Sequence, residues 1–317
     1  MGIDRSDCYV LNDTYHIYRQ WCLGYGGYSK VFMGLNTETQ QQIVAKKFKS
    51  AKTFDNEVKI LTRLRKTSCV PRILHSCTMK KGNDLTCYIV MNNLNRNLEQ
   101  IKTHCGQQTS PDNPRLTYGN GLYIMYELVQ ILKKIHKRGI LHRDVKPTNI
   151  MVSDKQRLYL VDFGLAVDNL KYETNKIAGT FAFMSINSHG KGEKIYTPAD
   201  DIESAYYTVM YLIKGYLPWY KKRSSKNPNI KKSSNDDILD AKKHITEHIE
   251  NYPHILKKLH KHCVNIDPEK GVDYDLISNI ILDYLKVKQK TYEDVRNHFF
   301  KMCEEPQLSD RLRERLQ

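Results

Sequence analysis

The chain has 317 residues and a 40% hydrophobic share, enough for one large domain or two small ones around a real core. No stretch approaches the roughly 18 uninterrupted apolar residues of a membrane helix and no secretory signal opens the chain, so an intracellular protein, cytoplasmic or nuclear, is expected. Fifty Lys and Arg against 35 Asp and Glu leave a charge of +15, which favours anionic partners, and eight cysteines without a C-x-x-C pair write neither a zinc ribbon nor a dithiol redox motif.

Residues 17 to 50 read as strands. Ile17, Trp21 and Leu23 fall on one alternating face, Val31 and Phe32 follow a glycine turn, and Ile43, Val44, Ala45 and Phe48 follow the polar turn 36–42. From Phe54, the residues Val58, Leu61 and Leu64 recur at helical steps, and Tyr88 to Met91 return to a short strand. The polar segment 104–120 carries two prolines; beyond it Ile124, Leu128, Ile131, Leu132 and Ile135 share a helical face. Two short strands are expected at 150–152 and 158–161, then helices near 200–214, 236–250, 252–262, 273–286 and 291–303. The stretch 221–235, rich in Lys, Ser and Asn, reads as an exposed loop.

Four clusters carry chemistry. The turn Leu23-Gly24-Tyr25-Gly26-Gly27-Tyr28-Ser29-Lys30-Val31 lacks side chains where backbone N–H groups can approach phosphate oxygens, although a plain hairpin uses the same glycines. On the next strand, Ala45 and Lys47 alternate onto one face and Lys46 onto the other, so Lys47 is expected to aim at phosphate. Glu57 on the following helix can hold such a lysine extended. Finally, His142-Arg143-Asp144-Val145-Lys146-Pro147-Thr148-Asn149 is followed 13 residues later by Asp162-Phe163-Gly164. Phosphoryl transfer requires a carboxylate to take the incoming hydroxyl proton and oxygen ligands for a divalent ion; Asp144 suits the first task, Asn149 and Asp162 the second.

In this order the motifs resemble the protein kinase superfamily. The resemblance implies an α+β fold of two lobes over residues 17–302, with an antiparallel sheet and one helix in 17–93, a mainly helical lobe in 94–302, and a helical tail in 303–317. It implies ATP in the cleft against a hinge of Met91, Asn92 and Leu94, with Ala45 and Lys47 also in contact. It implies Mg²⁺, or Mn²⁺ in its place, on Asn149 and Asp162, and Ser/Thr specificity through Lys146. Thr180 resembles the threonine that packs under Asp144 and Lys146. Downstream, Ser185-Ile186-Asn187, Asp200-Asp201-Ile202-Glu203-Ser204 and Leu217-Pro218-Trp219 resemble the casein kinase I group, and Asn95-Arg96-Asn97-Leu98 its tau-tubulin kinase branch.

Two residues depart from that pattern. Ser29 replaces the third loop glycine, and Ala182 replaces an Arg that the group uses for an anion beside the substrate, so preference for phosphate-primed substrates is not implied. The basic cluster Lys221, Lys222, Arg223, Lys226, Lys231 and Lys232 offers an electrostatic substitute, although a charge run is usually a solvated loop. Casein kinase I relatives generally need no phosphorylation between Asp162 and Gly179, where Tyr172 and Thr174 are the candidate sites, so constitutive activity is expected.

The expected partners are protein substrates, acidic ones among them. A monomer without specific nucleic-acid recognition is expected, meeting membrane only if Gly2 in Met1-Gly2-Ile3-Asp4-Arg5-Ser6 is myristoylated, with Cys8 nearby. His244, His248, His260, His262 and Cys263 resemble a metal constellation only superficially, because Lys242, Lys243, Glu247 and Glu250 suggest a solvated face. The rival to an active kinase is a catalytically weak or inactive kinase-fold scaffold, which Ser29 and Ala182 alone would favour.

Overall fold

The structure, a computed structural model, describes residues 8–27, 29–81, 84–109, 115–190, 192–219, 233–264 and 266–303. The chain divides into two compact units. Among the described residues, the first runs to Asn95 and takes in Val161–Ala166; the second holds Arg96–Leu160 and the chain from Val167 to Cys303.

In the first unit, β1 (Cys8–Leu11), β2 (Tyr15–Tyr25), β3 (Ser29–Asn36), β4 (Gln42–Phe48), β5 (Ile73–Lys81) and β6 (Asp84–Asn92) form one sheet in the order β1-β2-β3-β4-β6-β5. Every neighbouring pair is antiparallel. Ile43 and Ala45 of β4 alternate into a buried cluster with Leu11, Ile17, Tyr88 and Val90. The face shared by Ile17, Trp21 and Leu23 does not persist along β2. Register shifts lie between Ile17 and Cys22 and between Cys22 and Gly24, so Ile17 is buried while Leu23 is exposed. Helix α1 (Ala51–Arg63) buries Phe54, Glu57, Ile60 and Leu61 on one stripe, which puts a carboxylate in an apolar face.

The second unit is mainly helical. Helix α2 (Leu98–Thr109) runs into the polar segment 104–120. Its start has a reciprocal cap: the Gln100 amide N–H donates to the Asn97 side-chain oxygen and the Asn97 N–H to that of Gln100. Helix α3 (Tyr118–His136) begins at Thr117, whose hydroxyl accepts from the Asn120 N–H, and twelve of its residues are buried. Strands β7 (Arg96–Asn97), β8 (Ile150–Ser153) and β9 (Arg157–Leu160) form a three-stranded antiparallel sheet, while β10 (Tyr172–Thr174) pairs with β11 (Lys194–Tyr196).

Between the last two strands lies α4 (Ile186–His189), and after β11 comes α5 (Pro198–Lys214), buried along almost its whole length. Proline at the first turn and Gly215 in the left-handed region (φ 80°) set its ends. The expected helix 236–250 breaks at His244 into α6 (Asn235–Lys243) and α7 (Ile245–His248). Helices α8 (His254–Cys263), α9 (Tyr274–Val287) and α10 (Tyr292–Cys303) follow. Among the described residues no helix is long and apolar enough to cross a membrane.

Candidate active site

The glycine turn joins β2 to β3, closed by the Gly26 N–H donating to the Ser29 carbonyl at 2.8 Å. A Cβ at Gly24 or Gly27 would meet nothing within 4 Å, so the backbone there borders open space into which a phosphate could come. Ser29 is buried, and Tyr25 and Leu23 are exposed. Tyr28 lies outside the described residues, as do Gly2, the basic residues from Lys221 to Lys232, and the tail beyond Cys303.

The lysine at the centre of the first unit is Lys46, and the expectation for Lys47 is corrected. The Lys46 ammonium lies 2.8 and 2.7 Å from the two Glu57 oxygens and 2.7 Å from Asp162 Oδ1. Lys47 instead points its ammonium over the rings of Tyr9 and Tyr88, 5.7 and 5.9 Å from their centroids. The alternation holds, but its faces are the reverse of those expected. Ala45 and Lys47 do share a side, but that side packs on the Ile17–Tyr88 cluster, so Ala45, with no exposed surface, is corrected with it as a nucleotide contact. Val44 and Lys46 occupy the other face.

Burial would lower the Lys46 pKa, but the charges of Glu57 and Asp162 outweigh it and hold the amine above its ordinary value. Burial pushes Glu57 up to about 6 against the pull of Lys46. Asp162 has a left-handed backbone (φ 64°), and its side chain is 46% exposed and accepts from the Gly164 N–H.

In the second unit, both oxygens of Asp144 are held. Thr180 Oγ1 donates to Oδ1 at 2.8 Å, and the Lys146 ammonium donates to Oδ2 at 2.7 Å and to Thr180 Oγ1 at 2.9 Å. The Asn149 amide nitrogen donates to the Asp144 carbonyl at 2.9 Å and to Oδ2 at 3.2 Å, which leaves its amide oxygen to accept elsewhere. Gly179 (φ 111°) must be glycine, since a Cβ would stand 2.8 Å from the Arg143 carbonyl. Met91 and Asn92 end β6, paired to Val44 and Ile43, and Leu94 follows in the connection.

Asp201, expected only as part of the Asp200–Ser204 landmark, and Lys242, expected on a solvated face, have contacts that the sequence does not reveal. Buried in α5, Asp201 accepts the His142 and Arg143 backbone N–H groups at 2.7 and 2.8 Å, and His136 Nε2 lies 2.9 Å away. Burial raises its pKa, but the His136 hydrogen bond and the nearby histidines outweigh that and hold it low. Lys242 is fully buried, contrary to its reading as part of a solvated face. Its ammonium donates to the Phe181 and Met184 carbonyls at 3.0 and 2.5 Å, beside His189 Nε2 at 2.9 Å, and burial lowers its pKa to about 7. The available signal was its spacing, four after Ile238 and three before Ile245 on one apolar stripe.

One exposed carboxylate and one amide oxygen are hard oxygen donors of the kind Mg²⁺ takes, and the open glycine backbone with a cationic Lys46 suits a polyphosphate. Unit by unit the donor chemistry fits both groups: Lys46, Asp162 and the glycine turn in the first unit, Asn149 in the second. Among the described residues no cluster of three or more His, Cys, Asp or Glu could hold another metal ion.

A family model described as "Protein kinase domain" matches residues 17–277. Among curated proteins, the chain is 26% identical to casein kinase I homolog 3 of Schizosaccharomyces pombe, over 88% of this chain and 64% of that protein. It is 26% identical to a probable serine/threonine-protein kinase of Dictyostelium discoideum, over 82% and 52%. It is 27% identical to a probable casein kinase I homolog of Encephalitozoon cuniculi, over 82% and 86%. The match thus spans less than two thirds of the first two relatives. With an antiparallel sheet in one unit, helices in the other and these motifs in kinase order, the chain belongs to the protein kinase family and is casein kinase I-like.

Proposed function

We propose that the chain is an active Ser/Thr protein kinase that moves the γ-phosphate of Mg-ATP to serine or threonine hydroxyls of protein substrates. The observation that carries this reading is the Asp144 carboxylate, fixed on both oxygens by Lys146, Thr180 and Asn149. A carboxylate so held is oriented to accept a hydroxyl proton without reorganising first.

Lys46, kept extended by Glu57, would bind the nucleotide phosphates, and Asn149 and Asp162 would hold the ion. When bound, Mg-ATP supplies the transferable phosphoryl group with its charge partly neutralised. Lys146, already on Asp144 and Thr180, would place a cation beside the transferred group. The names of the relatives, two casein kinase I homologs and a serine/threonine-protein kinase, support Ser/Thr specificity.

The test is transfer of labelled phosphate from Mg-ATP to casein and to the protein itself, wild type against Asp144→Asn, with acid hydrolysis of the product. Phosphoserine or phosphothreonine from wild type alone is expected. Equal labelling by Asp144→Asn, or phosphotyrosine as the main product, would overturn the proposal.

A further inference from the structure

In the second unit, directly behind Asp144, the Arg143 guanidinium carbon lies 4.7 Å from the ring centroid of Tyr172 and 4.4 Å from that of Tyr196. These tyrosines are register partners across the β10–β11 pair. Arg143 itself has a left-handed backbone (φ 68°); its N–H donates to Asp201, and its carbonyl comes so near Gly179 that a Cβ there would stand 2.8 Å away. The residue after Gly179 is Thr180, which donates to Asp144. A short path therefore joins the two rings to the orientation of the catalytic carboxylate.

We propose that Tyr172 and Tyr196 are positioning residues for the transfer reaction: their ring faces form a two-sided cage that fixes Arg143, and with it Asp144 and Thr180, without a phosphate on the 172–180 segment. An arginine between two aromatic faces is attracted by both ring quadrupoles, and the attraction grows where water is excluded; Tyr196 is buried and Tyr172 half-buried. The ring faces carry this role and the hydroxyls do not. The proposal rests on the kinase reading above and supplies a physical reason for constitutive activity.

The experiment compares wild type with Tyr172→Phe, Tyr172→Leu and Tyr196→Phe in steady-state transfer to casein, each with and without prior phosphatase treatment. Both Phe variants should keep wild-type kcat. Tyr172→Leu, which retains apolar bulk but lacks a π face, should lose roughly 5- to 30-fold in kcat with KM for ATP unchanged, the factor that about 1 to 2 kcal/mol of cation–π attraction implies. Phosphatase should change nothing. Equal loss in the Phe and Leu variants, full activity in Tyr172→Leu, or inactivation by phosphatase would each overturn the cage.

Amide hydrogen exchange of residues 172–184, measured without nucleotide, gives a second readout. It should be faster in Tyr172→Leu than in Tyr172→Phe, and equal rates would overturn the cage. A wild type that transfers no phosphate would defeat the kinase reading, while the exchange comparison would still decide the cage.

Discussion

Two adjacent lysines on β4 lie on opposite faces of the sheet and have opposite partners. Lys46 is buried in contact with two carboxylates; Lys47 lies over two tyrosine rings. The run Ile43-Val44-Ala45-Lys46-Lys47 states that Ala45 and Lys47 share a face, but strand alternation does not say which face packs on the core. That is decided by Leu11, Ile17 and Tyr88, which reach the Ala45 side from three other strands. Lys46→Met should therefore reduce kcat/KM for ATP by roughly 100-fold or more, because it removes a preorganised cation, whereas Lys47→Met should stay within about 3-fold. Steady-state kinetics at saturating casein checks both, and a larger loss from Lys47→Met would show that the faces are assigned wrongly.

At the scale of elements, the decisive one is α5. Its first turn presents Asp201 to two backbone N–H groups of the 142–143 segment, so a helix end holds the strained backbone that carries Asp144. The family resemblance marks Asp200 to Ser204 as a landmark without disclosing this contact, because 58 residues separate Asp201 from Arg143 and no local pattern encodes the pairing. Similarly, α2 was legible in retrospect from Asn97 and Gln100, a cap that the polar composition of 104–120 obscured. Asp201→Asn keeps the shape but replaces a charged acceptor serving two N–H groups and the neighbourhood of His136.

This substitution should cost about 2 to 4 kcal/mol of unfolding free energy at pH 7, measured by denaturant titration. The pH sign follows from the lowered carboxyl pKa. Asp201 contributes fully above the ordinary aspartate range and loses its contribution as pH falls through its depressed folded value. The difference between wild type and Asp201→Asn should therefore be flat from neutral pH down to about 5 and shrink only in more acid solution. Equal midpoints for the two proteins at pH 7 would remove Asp201 from this role.

Over the whole molecule, the order of strands and helices was readable because hydrophobic period 2 gives way to period 3.6 after Asn92, and the observed sheet and helical units follow that change. The excess of 15 positive charges is a property of the chain that no single contact uses up. Such an excess would attract acidic substrates in the encounter step through a potential screened over roughly 10 Å at 0.1 M salt. Chemistry at Asp144, with its partners within hydrogen-bond distance, is screened far less. Raising salt from about 50 to about 200 mM should therefore raise KM for casein several-fold at nearly constant kcat, while KM for an uncharged Ser-containing peptide stays within about 2-fold. Identical salt profiles for the two substrates would mean that the net charge plays no part in the substrate choice proposed for this chain.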